Sequence, residues 1–123
     1  MENKAIISKF VEGKPVTFGN SATEKPWKDT IKNSFNAWTL EPLEKSIVRL
    51  DFSLNPERFM RQGKQPRNDL DNLAKPVLDA LVEIGIFEDD SGILDLTLRK
   101  RKSNVEGVMI QVYPFLQYDS SFD

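Results

Sequence analysis

The chain has 123 residues, of which 39% are hydrophobic and 29% are charged, and its formal net charge is −2. This length and composition are typical of one globular domain with a modest core, and we expect residues 1–123 to form it. The absence of cysteine and histidine excludes disulfides, thiolate zinc sites, imidazole bases and Ser–His or Cys–His nucleophile pairs. Any hydrolytic chemistry must then depend on carboxylates, lysine and a bound hard metal ion.

The sequence predicts no membrane segment. No apolar run approaches the ~20 residues that span a bilayer, and the first residues lack the apolar core of a signal peptide. With no cysteine in the chain, a cytoplasmic location is the expected one.

The first elements in chain order are a strand and a helix. Residues 4–11 are rich in β-branched and aromatic side chains and predict a strand. Proline is tolerated in the first turn of a helix, so Pro26 predicts a helix that starts between residues 23 and 26. An apolar stripe at helical spacing follows and predicts a packed face: Trp27, Ile31, Phe35 and Trp38.

A strand and a long basic loop come next. Residues 47–54 alternate between apolar and polar side chains, which predicts a half-buried strand. Residues 55–68 read as a loop that is long for so small a protein, and such loops are often functional. Within it, Phe59 and Met60 could either wedge between DNA bases or pack on the sheet.

A second helix is predicted over residues 71–84, with Gly85 as its terminator. Pro76 predicts that the helix is either bent or begins near residues 73–75, because proline removes one backbone hydrogen bond. At about 100° per residue, one face of this helix is apolar and faces the core. That face consists of Leu73, Val77, Ala80, Leu81 and Ile84.

Two strands complete the chain. Residues 94–99 alternate between leucines and polar side chains, residues 108–113 predict a fourth strand, and residues 117–123 read as a frayed tail. The order β-α-β-α-β-β predicts an α+β fold, with helices on one side of a mixed or mostly antiparallel sheet.

Charge is distributed unevenly along the chain. Between residues 69 and 95 there are eight acidic residues and a single base, Lys75, and basic residues lie on both sides of this stretch. An acidic centre between basic flanks suits metal-dependent cleavage of a polyanion, because the flanks offset repulsion between phosphates and carboxylates. The alternative is that the basic residues only solubilise loops.

The acidic centre contains a candidate cation site. Asp71, Lys75 and Asp79 share one face of the predicted helix at i, i+4 and i+8, Asp69 precedes it, and the turn at residues 88–92 could bring further carboxylates beside them. Helix capping and an ordinary surface ion pair are the alternative explanations. Convergence of these like charges would cost stability unless a cation were bound.

The string Asp69-x-Asp71-Asn72-Leu73-x-Lys75-Pro76-x-Leu78-Asp79-Ala80-Leu81, followed by Asp89-Asp90, resembles the signature of the RusA family of Holliday junction resolvases. The resemblance is tightest over residues 67–93, and the order of the remaining elements also fits. It implies a homodimeric, Mg²⁺-dependent endodeoxyribonuclease, with Mn²⁺ as a possible substitute. Such an enzyme resolves four-way DNA junctions by symmetric paired nicks during recombination and repair.

The resemblance also implies roles for individual residues. Asp69, Asp71 and Asp90 would hold the metal ion, and Lys75 would be the essential cation of the catalytic site. Supporting roles, as outer acceptors or as buttresses of the turn, would fall to Asp79, Asp89 and Asn72. The expected DNA contacts are Arg58, Arg61, Lys64, Arg67, Arg99, Lys100, Arg101 and Lys102.

One segment departs from the family pattern. Members often place prolines with arginines, or asparagine with tyrosine, in a loop after the first strand, whereas residues 15–20 here contain no arginine. A less selective branched-DNA nuclease is therefore an alternative. A separate alternative is a DNA-binding protein whose carboxylates no longer cut. A third is an interaction module with an acidic helix and no affinity for DNA.

Overall fold

The computed structural model of the chain describes residues 4–19, 21–35, 38, 40–59 and 69–115. Within these ranges the predicted order β-α-β-α-β-β is confirmed, with one short additional helix and one 3-10 turn, Asp90–Gly92. The strands are β1 (Ile7–Glu12), β2 (Ser46–Leu54), β3 (Ile93–Lys102) and β4 (Gly107–Pro114), and the helices are α1 (Ser21–Asn33), α2 (Pro56–Phe59) and α3 (Leu70–Glu83).

The strands form one mixed sheet in the order β1-β4-β2-β3, which confirms the predicted sheet type. β4 pairs antiparallel with both β1 and β2, whereas β2 and β3 run parallel. A parallel pair requires a crossover between the strands, and here the crossover carries α2 and α3. β3 is consequently an edge strand among the described strands.

The core lies between α1 and α3 and one face of the sheet. The strands contribute every second residue to the core, and the helices contribute every third or fourth residue. The fully buried members include Ile31, Val48, Leu50, Phe52, Leu73, Val77, Leu81 and Ile110. The core face predicted for the second helix is buried except at Ile84, which is partly buried against the same cluster.

α1 begins earlier than the sequence predicts, and it ends before the apolar stripe does. Its first residue is Ser21, so Pro26 lies in the second turn, and its last residue is Asn33. The apolar stripe nevertheless continues past the helix end, where Phe35 and Trp38 pack partly buried against the core. The chain keeps turning there, because the Phe35 N–H donates to Lys32 and the Trp38 N–H donates to Phe35. The packing role of the stripe is therefore confirmed.

α3 passes through Pro76 as one continuous helix. Proline has no N–H to donate to the carbonyl four residues earlier, which is that of Asn72. This carbonyl instead accepts a hydrogen bond of 2.9 Å from the N–H of Phe18, in the loop after β1. The missing helical bond is thereby replaced by a tertiary one. α3 ends where Gly85 takes a positive φ of 87°, as the sequence predicts.

Part of the segment predicted as a loop over residues 55–68 is helical, namely α2. The Arg58 and Phe59 N–H groups both donate to the carbonyl of Asn55, and the Asn55 side chain accepts from the N–H of Glu57. Asparagine before a helix is a favoured cap, which explains this start. Met60 and the rest of that loop, and the predicted tail 117–123, lie outside the described residues. None of the helices in the described ranges is long and apolar enough to cross a bilayer.

An ion-pair cluster joins α1 to the end of α3. Lys28 donates to the Glu83 carboxylate at 2.5 Å, and Lys32 pairs with the other oxygen of the same carboxylate. These contacts lower the pKa of Glu83 below its ordinary value of 4.5, with the Lys28 hydrogen bond as the largest cause. They also raise the pKa of Lys28, chiefly through its hydrogen bond to Glu83.

The Glu83→Gln protein should be less stable than the native protein at pH 7, by about 1 kcal/mol, since the cluster is exposed enough to be screened. A lowered carboxylate pKa stabilises the fold above pH 4.5 and ceases to do so as the pH falls through the folded value. The difference between the two proteins should therefore shrink toward about pH 3. Urea unfolding at both pH values measures it, with Glu41→Gln, an exposed acid in a loop, as the control. A stability difference between the two proteins that persists at low pH would show that it does not come from the ion pairs of Glu83.

Candidate active site

Two carboxylates lie at the N-terminal end of α3. Asp69 occupies the N-cap position, with φ −65° and ψ 141°, and its main-chain carbonyl accepts the first helical bond from Leu73 at 2.9 Å. Its side chain makes no capping hydrogen bond. Asp71 follows in the first turn, and both residues are exposed. Neither carboxylate has an ion-pair partner within the described part of the chain, so both are available to a ligand from outside.

Lys75 lies one turn further along α3. Its ammonium is 3.4 Å from the Asp79 carboxylate and 5.8 Å from the centroid of the Phe18 ring. The lysine side chain is 47% exposed, so it can still reach a bound molecule. The predicted row of Asp71, Lys75 and Asp79 is thus present, and an aromatic ring from another segment lies beside it.

The segment that carries this ring is held from several sides. The Arg58 guanidinium donates to the carbonyl of Pro15 and to the Glu106 carboxylate, the latter at 2.9 Å. Glu106 also accepts the N–H of Asn55 at 2.9 Å. Arg58 thus ties α2 to the turn between β3 and β4 and to the loop after β1. Its predicted DNA contact would have to be made from within this network.

Asp90 lies beyond the opposite end of α3. At 1.5 Å per residue, the 14 residues of α3 separate its two ends by about 20 Å. The chain then runs beside the segment before β2, where the N–H of Glu88 donates to Leu43 at 3.1 Å. In the described ranges, no group of three or more acidic, histidine or cysteine side chains is placed to hold a metal ion. One chain therefore does not bring Asp90 together with Asp69 and Asp71 as a single cluster.

The turn before β3 has a second carboxylate. The Ser91 hydroxyl donates to Asp89 at 3.0 Å. This hydrogen bond, followed by one involving the Asp90 side chain, lowers the pKa of Asp89 below its ordinary value. Asp89 therefore keeps its negative charge to a lower pH than an isolated aspartate would.

The basic run at residues 99–102 is divided between the two faces of β3, because side chains alternate along a strand. Lys100 and Lys102 lie over the Phe59 ring of α2, at 5.4 and 5.6 Å from its centroid. Phe59 is partly buried there, which favours the packing interpretation over the wedge. Arg101 lies on the other face, with its Nε 3.9 Å from the Asp51 carboxylate.

The face of the sheet that carries Arg101 also contains a depression of about 270 Å³. It is lined by Arg49, Leu50, Asp51, Thr97, Arg99 and Gln111. The four basic residues of the run thus lie on two different surfaces, the helix side of the sheet and the opposite face. The other predicted DNA contacts, Arg61, Lys64 and Arg67, lie outside the described residues.

Sequence reasoning missed two features of this region. Phe18 is 52% exposed beside Lys75, in the loop after β1, and the sequence did not single it out. Leu94 and Leu96 are 49% and 41% exposed, although the alternation along β3 resembles that of a half-buried strand. Their exposure follows from the edge position of β3, which no local pattern reveals.

Comparison with known proteins identifies the family of the chain. A family model described as "Endodeoxyribonuclease RusA" matches residues 7–113, which include all four strands except the last residue of β4. A curated relative, the crossover junction endodeoxyribonuclease RusA of Aquifex aeolicus (strain VF5), is 25% identical over 92 residues. The match covers 74% of this chain and 72% of that protein. The chain therefore belongs to the RusA family of endodeoxyribonucleases.

Proposed function

We propose that this chain resolves four-way DNA junctions by paired nicks that depend on a divalent cation, Mg²⁺ or Mn²⁺. The observation that carries the proposal is the exposed pair of carboxylates at Asp69 and Asp71, which have no ion-pair partner among the described residues, with Lys75 one helical turn after Asp71. Family membership supports the nuclease activity, and the Aquifex relative is named for its action on crossover junctions. Because such DNA is intracellular, a cytoplasmic location belongs to the same proposal.

The chemistry of the donor set suits a hard cation. Every candidate ligand is a carboxylate oxygen, and Asp69 and Asp71 are free of internal partners in the described ranges. Asp69, Asp71 and Asp90 would hold the ion, which when bound polarises a phosphate and lowers the pKa of a bound water. Lys75 would place its ammonium against the phosphate and stabilise the negative charge that develops there. Asp79 holds that ammonium in position from the next turn.

A homodimer would complete this set of ligands. Asp69 and Asp71 lie at the end of the sheet where β3 finishes, whereas Asp90 lies where β3 begins. If two copies meet along β3 in antiparallel fashion, the start of β3 in one copy lies beside the end of β3 in the other. The partner's Asp90 would then approach Asp69 and Asp71 of the first copy. A symmetric dimer would contain two such composite sites.

The edge strand has the properties that this contact requires. Leu94 and Leu96 are large apolar side chains that remain about half exposed, and β3 has no neighbour on one side among the described strands. Burial of exposed apolar side chains favours association. A four-way junction has approximate two-fold symmetry, so a two-fold dimer would present equivalent sites to two strands of like polarity.

Basic residues near these ends would bind the DNA phosphates. Lys100 and Lys102 lie on the helix side of β3 over α2, while Arg99 and Arg101 lie on the opposite face. Phosphate contacts of this kind make binding depend strongly on salt concentration. We expect the affinity for junction DNA to fall steeply as salt is raised.

The proposal is tested with a labelled mobile four-way junction, a linear duplex and a flap, each with Mg²⁺ or with EDTA. Paired nicks on the junction alone, only with Mg²⁺, are expected, and the Asp71→Asn protein should not cut. Equal cutting of flap and duplex would instead identify a less selective nuclease. Binding of the junction without cutting under any metal condition would identify a DNA-binding protein, and no binding at all would reject the proposed function.

A further inference from the structure

We infer that Phe18 contacts the DNA directly, as an aromatic platform on which an unpaired base next to the cleaved phosphate stacks. The inference rests on the proposed function and extends it to a residue outside the carboxylate and lysine site. It is carried by three observations on the loop after β1: the exposure of the ring, the way its backbone is held, and its position relative to Lys75.

The ring is exposed although its backbone is fixed. Phe18 is 52% exposed and does not belong to the core cluster formed by the described residues. Its N–H donates to the Asn72 carbonyl at 2.9 Å, the acceptor that Pro76 leaves without a helical partner. The next residue, Gly19, donates its N–H to the Glu24 carboxylate at 3.1 Å. Pro15, three residues before the ring, is held by Arg58.

A loop whose backbone is held in this way loses little conformational freedom when a ligand stacks on its ring. The cost of ordering a loop is thereby avoided, which favours binding. The hydrogen bond through the Asn72 carbonyl also ties the ring to α3, the helix that carries Asp69, Asp71 and Lys75. The position of the ring relative to these groups is therefore set by the fold.

The surroundings of the ring favour a nucleotide over a purely apolar ligand. The Lys75 ammonium lies 5.8 Å from the ring centroid and remains about half exposed, so a positive charge and an aromatic surface are presented together. A nucleotide has the matching pair of groups, a phosphate for the ammonium and a flat base for the ring. Bases at a branch point can be unpaired, whereas those of a linear duplex are stacked on both sides. The platform would therefore contribute to junction selectivity despite the absence of arginine from residues 15–20.

The test measures junction binding in EDTA, which prevents cutting, with 2-aminopurine placed at the branch point as a fluorescent base. Phe18→Leu removes the aromatic surface and keeps an apolar side chain, while Phe18→Tyr keeps the aromatic surface. We expect Phe18→Leu to weaken junction binding about 5- to 100-fold and to abolish the fluorescence change, with Phe18→Tyr close to the native protein. Ile6→Ala changes another exposed apolar side chain, one that directly precedes β1, and this control protein should bind normally.

The outcomes separate this inference from the proposed function. If the native protein binds and cuts junctions and Phe18→Leu gives the same affinity and the same fluorescence change, the platform is rejected and the nuclease remains. If Phe18→Leu slows cutting while affinity and fluorescence are unchanged, the ring only orients Lys75, and the inference is also overturned. Failure of the native protein to bind any branched DNA would reject the proposed function itself.

Discussion

A mixture of Asp71→Asn and Asp90→Asn proteins should cut a four-way junction that neither protein cuts alone. Each single change removes a proposed metal ligand from both sites of the proposed homodimer, so each should reduce cutting by more than about 100-fold. If the sites are composite, the mixed dimer contains one site that combines an intact Asp71 with the partner's intact Asp90. After random exchange of subunits, about a quarter of all sites should be intact.

The products of the mixture carry additional information. A dimer with one intact site can cut only one of the two strands, so nicked junctions should accumulate in place of fully resolved duplexes. Unfolding and refolding the two proteins together ensures subunit exchange, and two tags of different size allow the mixed dimer to be isolated. Gel electrophoresis under denaturing and native conditions distinguishes nicking from resolution.

The matched control is a mixture of Asp69→Asn and Asp71→Asn. Both residues lie at the same end of α3, so every site in that mixed dimer contains one altered carboxylate and no cutting should return. Composite sites would be supported if cutting returns in the mixture of Asp71→Asn and Asp90→Asn and does not return in the mixture of Asp69→Asn and Asp71→Asn. If the isolated mixed dimer of Asp71→Asn and Asp90→Asn stays inactive, the three carboxylates do not combine across subunits.

Replacing Lys75 by methionine should slow cutting about 100- to 1,000-fold, the usual cost of removing one group that stabilises developing charge. Methionine keeps most of the length and apolar character of the lysine side chain and removes only its ammonium. Lys75 is 47% exposed, so folding should be unaffected. The affinity for the junction should change only several-fold, because many phosphate contacts contribute to it. Single-turnover cutting with saturating enzyme, together with binding measured in EDTA, separates the two effects.

Lys25→Met is the control for this change, since it removes the same charge from an exposed lysine on α1 that forms a surface ion pair with Asp29. It should cut at the native rate. Lys75→Arg keeps the positive charge and should recover part of the activity. If Lys75→Met cuts at the native rate, the ammonium has no part in the reaction. If its cutting rate and its affinity for the junction fall equally, the ammonium only binds a phosphate.

A tertiary contact near Pro76 accompanies a helix that begins at Leu70, and not near residues 73–75 as one of the two predicted alternatives had it. Local rules indicate a bent or shortened helix there, because they count only the hydrogen bond that proline removes. The observed helix is continuous since the freed Asn72 carbonyl accepts the N–H of Phe18. No pattern within either segment contains this information, because the donor and the acceptor are separated by more than 50 residues.

Position in the sheet has a similar effect on β3. The alternation of Leu94, Leu96 and Leu98 predicts a strand, and the strand forms as predicted. Burial of its apolar side chains depends on whether another layer covers them, and β3 is at the edge of the sheet. Leu98 is partly buried against the core, whereas Leu94 and Leu96 are about half exposed.

The sequence by itself determined the order of strands and helices and the apolar faces of α1 and α3, because period and composition are local properties. It also placed Asp69 just before a helix, and Asp71, Lys75 and Asp79 along one face of that helix. Only the tertiary structure decided that Asp90 lies beyond the other end of that helix and that Phe18 lies beside Lys75. Both depend on how distant segments pack, and packing is set by the whole core and not by any one stretch of it.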